Sequence, residues 1–358
     1  MIPEEIIFTL SYKCNLRCKT CYLFLKDGMH VAPQIRDDMP AARWEQILDE
    51  VAPHKPRIYF VGGEPLIFKG ILELISRAAD HGLYTYLCSN GTMMRHVARE
   101  LVATGINRIE ISLDGLEDTH DWIRGEGVFR RTMAGIESVL EERRIQGRTD
   151  LQIGLAVLMC HHNIDHLIPL YDLARENGLN FLKYQYMMFN EKANIEKDRQ
   201  EFLDIFGVNS PVMEGYLDIL ERDLDLAQLT QVVTALGRRP APPEVTFFPE
   251  VPDTRAYYAD LGHRFPRQAC SFSSRVARIL PNGDVPVCFG HADFRAGNVK
   301  ERPLLEIFAG DTMTRFRQAL AERGLFPGCL RCSQRSYGEE FDADRLPRDP
   351  RPTAREQH

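Results

Sequence analysis

Along the first 190 residues, short apolar runs alternate with longer amphipathic stretches. Six runs stand out: "EIIFTLS" (5–11), "RIYFV" (57–61), "LYTYLC" (83–88), "INRIEISL" (106–113), "LQIGLAVLM" (151–159) and "NFLKYQYMM" (180–188). Each has strand length and is rich in Ile, Val, Phe and Tyr, which pack well on a pleated surface. Between them, apolar positions recur at helical spacing: Trp44, Ile47, Leu48 and Val51, then Leu72, Ile75 and Ala79, then Met133, Ile136 and Leu140. "DHLIPLYDLARENG" (165–178) ends in the kind of glycine that closes a helix. Strands alternating with helices predict parallel βα units, and six of them suit an open barrel or a doubly wound sheet.

The polar and glycine-rich stretches follow the strands rather than precede them. "KCNLRCKTCY" comes after the first run, "GGEP" (62–65) after the second and "SNG" (89–91) after the third. "SLDG" (112–115) closes the fourth and "CHHN" (160–163) follows the fifth. In parallel βα folds the carboxyl ends of the strands share one face, where active sites lie. These motifs are therefore expected to converge in space.

Beyond 190 the pattern changes. Residues 191–239 read as helical and charged, with "SPVMEGYLDILER" (210–222) opening on a Ser-Pro pair suited to a helix start. "RRPAPPE" (238–244) reads as a connector. A smaller module carries strand-like "VARILPNGDVPVCF" (276–289), and the polar, Pro-rich tail is predicted to be disordered. The expected division is a barrel over 1–190, a helical linker over 191–268, a cysteine-bearing module over 269–335 and a tail over 336–358. There is no internal repeat.

A chain of 358 residues allows two domains or one large barrel with an appendage. Its net charge of −7, with both signs interspersed, gives no nucleic-acid or anionic-membrane surface. No apolar run approaches the roughly 20 residues of a membrane span. The start, "MIPEEIIFTLSYK", puts an acidic pair before its apolar stretch, the reverse of a signal peptide. A cytoplasmic protein is expected, with neither nucleic acid nor membrane as partner.

In a reducing compartment nine cysteines rarely mean disulfides. Seven fall in two groups, Cys14, Cys18 and Cys21, and Cys270, Cys288, Cys329 and Cys332. Ligation of a metal or cluster is expected for these, whereas burial as a small hydrophobe suits a lone thiol such as Cys88. Three thiols in eight residues cannot close a four-ligand zinc site by themselves. Their C-x3-C-x2-C spacing is neither a pair of C-x2-C hairpins nor the ferredoxin run. It does fit a [4Fe–4S] cluster with three irons on Cys14, Cys18 and Cys21 and the fourth iron open.

Cys14-Asn-Leu-Arg-Cys18-Lys-Thr-Cys21-Tyr22, followed by "GGEP" after the next strand, resembles the radical S-adenosylmethionine (SAM) superfamily. The resemblance covers residues 5–335. It implies an α/β fold, a partial (βα)6 TIM-like barrel with a C-terminal auxiliary iron–sulfur domain. It also implies that SAM chelates the open iron through its amine and carboxylate. Gly62, Gly63, Glu64 and Pro65 would meet the cationic amine, and Tyr22 would lie beside the adenine. Ser89, Asn90, Ser112 and Asp114 would suit the ribose hydroxyls and carboxylate, with Arg124 a further carboxylate partner.

The second group, with Gly283 five residues before Cys288 and a late Cys329-Leu-Arg-Cys332, is similar to the twitch module, a shortened SPASM domain. That likeness implies one auxiliary [4Fe–4S] cluster ligated by all four cysteines, against a competing four-thiolate zinc site. The implied reaction is one-electron cleavage of SAM to methionine and a 5′-deoxyadenosyl radical, which takes a hydrogen atom from substrate. A flavodoxin- or ferredoxin-type protein would supply the electron.

The four-cysteine arrangement resembles enzymes acting on sugars and aminocyclitols. Only thirteen residues precede Cys14, whereas leader-binding domains usually precede the barrel in peptide-modifying relatives. The expected substrate is therefore a small polyhydroxylated molecule (a sugar, aminocyclitol or nucleoside) undergoing epimerisation or dehydrogenation. A ribosomally made peptide is the alternative. Cys160, and after it Cys88, are candidate hydrogen donors for an epimerase. A non-catalytic iron–sulfur carrier or zinc-stabilised binding module would explain the cysteines but not "GGEP", "SLDG" or six βα units.

Overall fold

Glu5–Thr9 opens the chain as strand β1, buried along its whole length. β2 (Arg57–Val61), β3 (Thr85–Ser89), β4 (Arg108–Ser112), β5 (Gln152–Met159) and β6 (Phe181–Tyr186) fall on the other five apolar runs. Each pairs in parallel with the strand before it. The computed structural model describes residues 1–21, 23, 38–211, 224–259 and 270–336. The expected helix over 210–222 and the tail over 336–358 thus lie almost wholly outside the described residues, as does Tyr22.

Between the strands run α1 (Ala41–Val51), α2 (Ile71–Asp80), α3 (Met94–Ala103), α4 (Glu117–Arg124), α5 (Val128–Ile145) and α6 (Leu167–Glu176). Trp44, Ile47, Leu48 and Val51 form the buried stripe of α1, as their spacing predicts. On α2 the buried residues are Ile71, Leu74, Ile75 and Ala78, so the stripe lies one position earlier than the Leu72–Ala79 reading. α6 stops as expected, with Gly178 at φ 65 just beyond it. These helices pack on one face of the sheet, where Ile58, Phe60 and Phe8 join Trp44 in the main core.

Two strands that the sequence reading did not assign to this sheet complete it. β7 (Glu244–Phe248), reached through α7 (Lys192–Phe206) and α8 (Leu226–Leu236), pairs parallel with β6. It begins at the residue read as the end of a connector. As a half-exposed edge strand it lacks the apolar run that marks a buried one. After α9 (Thr254–Ala259) and α10 (Phe272–Arg275) comes β8 (Val276–Ile279), which lies parallel against β1 with Ile7 opposite Arg278. The result is an eight-stranded parallel sheet in the order β7-β6-β5-β4-β3-β2-β1-β8, a barrel left open between β7 and β8.

The C-terminal module adds an antiparallel pair, β9 (Asp284–Pro286) and β10 (Arg295–Asn298), and the helices α11 (Leu304–Ala309) and α12 (Asp311–Arg323). No helix among the described residues is long and apolar enough to cross a membrane.

Candidate active site

The loop after β1 carries Cys14, Cys18 and Cys21, and "GGEP" is its scaffold. Gly63 N–H donates to Ser11 O at 2.8 Å and Glu64 N–H to Lys13 O at 2.9 Å, extending the β1–β2 ladder up to the first thiol. The approach leaves no room for side chains: a Cβ on Gly62 would sit 2.4 Å from Ser11 O, and one on Gly63 2.3 Å from Lys13 O. The glycines are thus explained by close contact between two backbones.

Glu64, 1% exposed, joins this loop to the next. Its Oε1 accepts from Ser89 Oγ at 2.8 Å and Leu66 N–H at 3.0 Å, and its Oε2 from Asn90 N–H at 2.8 Å. Burial pushes the Glu64 carboxyl up from its ordinary range, and these three donors oppose that. Asn90 continues the chain of contacts, its Nδ2 donating to Asn15 Oδ1 at 2.9 Å within the cysteine loop. Ser89 and Asn90, expected at the ribose and carboxylate, thus also hold the loops together.

The fourth and fifth strand ends meet through Asp114. Its Oδ2 accepts from Arg124 Nε at 2.7 Å and its Oδ1 from Leu158 N–H at 3.0 Å. Asn163 Nδ2 donates to Asp114 O at 2.8 Å, and Lys19 N–H donates to Ile123 O at 2.8 Å, tying α4 to the cysteine loop. Burial pushes the Cys18 thiol up to about 11, with Arg124 pulling it down and Cys21, Asp114 and Cys14 raising it. The three thiols, the Asp114 carboxylate and the Arg124 guanidinium therefore share one neighbourhood, as the placement of the motifs at strand ends implies.

The two ungrouped thiols differ. Cys88 is half-buried with its Sγ 3.6 Å from Ser112 Oγ, and burial followed by Glu110 pushes it up to about 11. Cys160, expected on the active face, is 2% exposed and packed in the main apolar cluster, its thiol pushed up to about 12, chiefly by burial. Its N–H is taken by Asn163 Oδ1 at 2.9 Å, folding the "CHHN" turn back on it.

Below these loops, the sheet face away from the helices is polar. Tyr59 Oη donates to Glu110 Oε2 at 3.1 Å across the intervening β3, and Lys183 Nζ reaches the same oxygen at 3.8 Å. Tyr86 donates to Glu5, and the Tyr59 and Tyr86 rings stack at 4.1 Å. The sequence reading passed over these residues. Their signal was the alternation of polar and apolar positions inside "RIYFV", "RIEIS" and "FLKYQY", strands otherwise expected to be apolar on both faces.

Cys270, Cys288, Cys329 and Cys332 line one pocket together with Phe272, Phe289, His291 and Phe316. Arg331, between the last two cysteines, donates from Nε to Tyr257 O at 2.6 Å, anchoring that turn to α9. Cys270 and Cys288 also pack against the cluster of Ile7, Phe248, Phe272 and Val276, so the pocket abuts the polar sheet face. Asp198 on α7, 1% exposed, accepts the N–H of Gly328, which lines this pocket. Its signal in sequence was a carboxylate on the apolar stripe of Ile195 and Phe202.

Among the described residues, no three His, Cys, Asp or Glu side chains converge as they would around a single metal ion. A cubane cluster asks less, because each iron takes one thiolate and the thiols need only line a shared cavity. Four thiols around one pocket meet that requirement, and Cys14, Cys18 and Cys21 lie near enough to act on one another beside the largely buried Arg124 guanidinium.

Comparison with known proteins agrees with this geometry. The sequence model of the Radical SAM superfamily matches residues 8–174, and that of SPASM, an iron–sulfur cluster-binding domain, matches residues 270–333. The chain is 25% identical over 312 residues to the pre-heme d1 synthase of Dinoroseobacter shibae, covering 85% of this chain and 73% of that enzyme. It is 23% identical over 342 residues to the PqqA peptide cyclase of Xanthomonas campestris, covering 91% and 79%. It spans about half the length of the first curated relatives it matches. Among solved structures, SuiB of Streptococcus suis shares the fold, with a TM-score of 0.62, 18% identity, and coverage of 93% of this chain and 72% of SuiB. SAM and two [4Fe–4S] clusters are the cofactors that fit. The chain belongs to the radical SAM superfamily, its barrel followed by a SPASM-type iron–sulfur domain.

Proposed function

We propose that this radical SAM enzyme modifies a peptide, held on the polar sheet face between the two cysteine sites. The observation that carries the peptide is the reach of the likeness. Similarity to the PqqA peptide cyclase runs through 91% of the chain, and SuiB, whose fold covers 93% of it, has been solved with its precursor peptide SuiA. The expectation of a polyhydroxylated substrate finds no counterpart in these relatives. The shortness of the stretch before Cys14 is no argument about substrate, since where a sequence begins does not fix what its barrel holds.

A reduced cluster and SAM, when bound, supply hydrogen-atom abstraction from an unactivated C–H bond, chemistry no side chain here performs. Cys14, Cys18 and Cys21 would hold three irons of that cluster. Arg124 is fixed at Nε by Asp114 and makes no other hydrogen bond among the described residues, so its two Nη groups are placed to grip the SAM carboxylate. Glu64 accepts three hydrogen bonds where a carboxylate offers about four sites, leaving capacity for the SAM ammonium. Ser112 would serve the ribose. Ser89 and Asn90 orient Glu64 instead of touching the cofactor. Cys270, Cys288, Cys329 and Cys332 would hold an auxiliary cluster that passes electrons between the substrate site and a flavodoxin- or ferredoxin-type partner.

A second reading, a tetrapyrrole substrate, is favoured by the identity with pre-heme d1 synthase over 85% of the chain. Anaerobic reconstitution with SAM and dithionite, scored for 5′-deoxyadenosine, separates the readings. Release that rises with peptides supports the peptide reading, and release that rises only with porphyrins or aminocyclitols overturns it. No release under any condition would remove the radical chemistry itself.

A further inference from the structure

Behind His291, which lines the auxiliary pocket, lies a group of buried polar side chains. His291 Nε2 lies 3.2 Å from Asp198 Oδ2, both side chains 1% exposed. His291 Nδ1 lies 2.8 Å from Ser210 Oγ, which donates to Asp293 Oδ1 at 2.6 Å. The imidazole also stacks on Phe202, one turn beyond Asp198 on α7, with centroids 3.6 Å apart and planes at 19°.

Both ends of the Asp198–His291 pair reach ligand loops. Asp198 Oδ1 accepts the Gly328 N–H at 2.7 Å, immediately before Cys329. His291 N–H donates to Cys288 Sγ at 3.3 Å. Gly328 leaves room for this contact, since a Cβ there would lie 2.7 Å from Asp198 Oδ1 and displace the carboxylate. Asn190 Nδ2 holds Gly328 O at 3.1 Å from the other side. The buried carboxylate thus sits against the residue next to Cys329, at the edge of the pocket that the four thiols line.

A carboxylate carried by a linker helix into a buried site is costly unless it is used. We propose that Asp198 is a positioning residue for the auxiliary cluster, fixing the Gly328–Cys329 turn through Oδ1 and holding the cluster's reduction potential down through its charge. The physical reason is that reduction adds an electron beside a fixed negative charge in a medium of low dielectric. The sulfur contact from His291 is the other influence on the same centre, and hydrogen bonds to sulfur act in the opposite direction. The proposal rests on the reading that Cys270, Cys288, Cys329 and Cys332 hold a cluster.

The test is anaerobic reconstitution of the full chain, followed by iron and sulfide analysis and a redox titration monitored by electron paramagnetic resonance. Wild type should hold about eight irons, four per cluster. Asp198→Asn keeps an oxygen for Gly328 but removes the charge, so both clusters should remain and only the auxiliary midpoint should shift upward. Asp198→Ala removes both functions, and auxiliary iron should be lost while the N-terminal cluster stays. Gly328→Ala, which forces the carboxylate off the turn without altering it, should also lose auxiliary iron, and it decides the matter if the Asp198 variants do not fold. Wild type with only about four irons would end the auxiliary-cluster reading itself. About eight irons in wild type, with an unshifted auxiliary midpoint in Asp198→Asn or full auxiliary iron in Gly328→Ala, would overturn the role of Asp198 alone.

Discussion

Arg124 and Asp114 form a buried pair at 2.7 Å, and because the other oxygen of Asp114 takes the Leu158 N–H, the pair locks the end of α4 to β5. The guanidinium is thereby held at one edge and offered at the other. Arg124→Lys keeps a charge but loses the planar fork, so SAM affinity should fall at least tenfold with both clusters intact. Arg124→Met strands the Asp114 carboxylate and should cost about 3–5 kcal/mol of stability. Equilibrium dialysis of SAM and thermal unfolding check the two effects, and undiminished SAM binding in Arg124→Lys would remove Arg124 from the cofactor site.

Gly63→Ala should separate the two iron sites. Its Cβ would meet Lys13 O at 2.3 Å, one residue before Cys14. The loop must move, so iron at the N-terminal site should be lost while the auxiliary site fills. Gly147→Ala has nothing within 4 Å and should cost only about 1 kcal/mol from its φ of 66, with full iron. Equal iron in both variants would mean that the glycine contact does not shape the thiol loop.

His120 predicts an acid limit to stability. Its Nδ1 accepts the Asp114 N–H at 3.1 Å, and burial, followed by Arg124, lowers its pKa from 6.5 to about 4. The unfolded chain then binds the proton first as pH falls. The neutral ring's contribution is therefore complete above about pH 6.5 and lost progressively down to about pH 4. The shift corresponds to roughly 3 kcal/mol at its full extent. Denaturant titrations at pH 7.5 and 5 should differ in this sense. His120→Gln should flatten the difference, and an unaltered slope in that variant would place the titrating group elsewhere.

If the reaction returns a hydrogen atom to its substrate, the two lone thiols are not equivalent. Cys88 faces Ser112, the residue proposed for the ribose, whereas Cys160 is packed among apolar side chains. Reactions in heavy water should give less deuterated product with Cys88→Ala and unchanged product with Cys160→Ala. The reverse result in the mass spectrum would restore Cys160 as the donor.

Much of this site was readable because its chemistry is local in sequence. Cys14 to Cys21 and "GGEP" are short, and their strand-end placement follows from the alternation of runs such as "RIYFV" with helical stripes such as that of Trp44 and Val51. What escaped depends on tertiary contact. Glu244 to Phe248 is a half-exposed edge strand whose partner is β6. That Ser89 and Asn90 also bond the Glu64 carboxylate is likewise a tertiary contact. Asp198 and His291 are far apart along the chain, and nothing in either neighbourhood names the other.

The pairing of Val276–Ile279 with Glu5–Thr9 has a bearing on biogenesis. The strand that launches the first thiol loop acquires its outer neighbour only after some 270 further residues have left the ribosome. Pairing across such a separation is slow because the intervening chain must first be ordered. Shortened products ending before Val276 should leave synthesis with one flank of their opening strand bare, a surface that invites aggregation and scavenging.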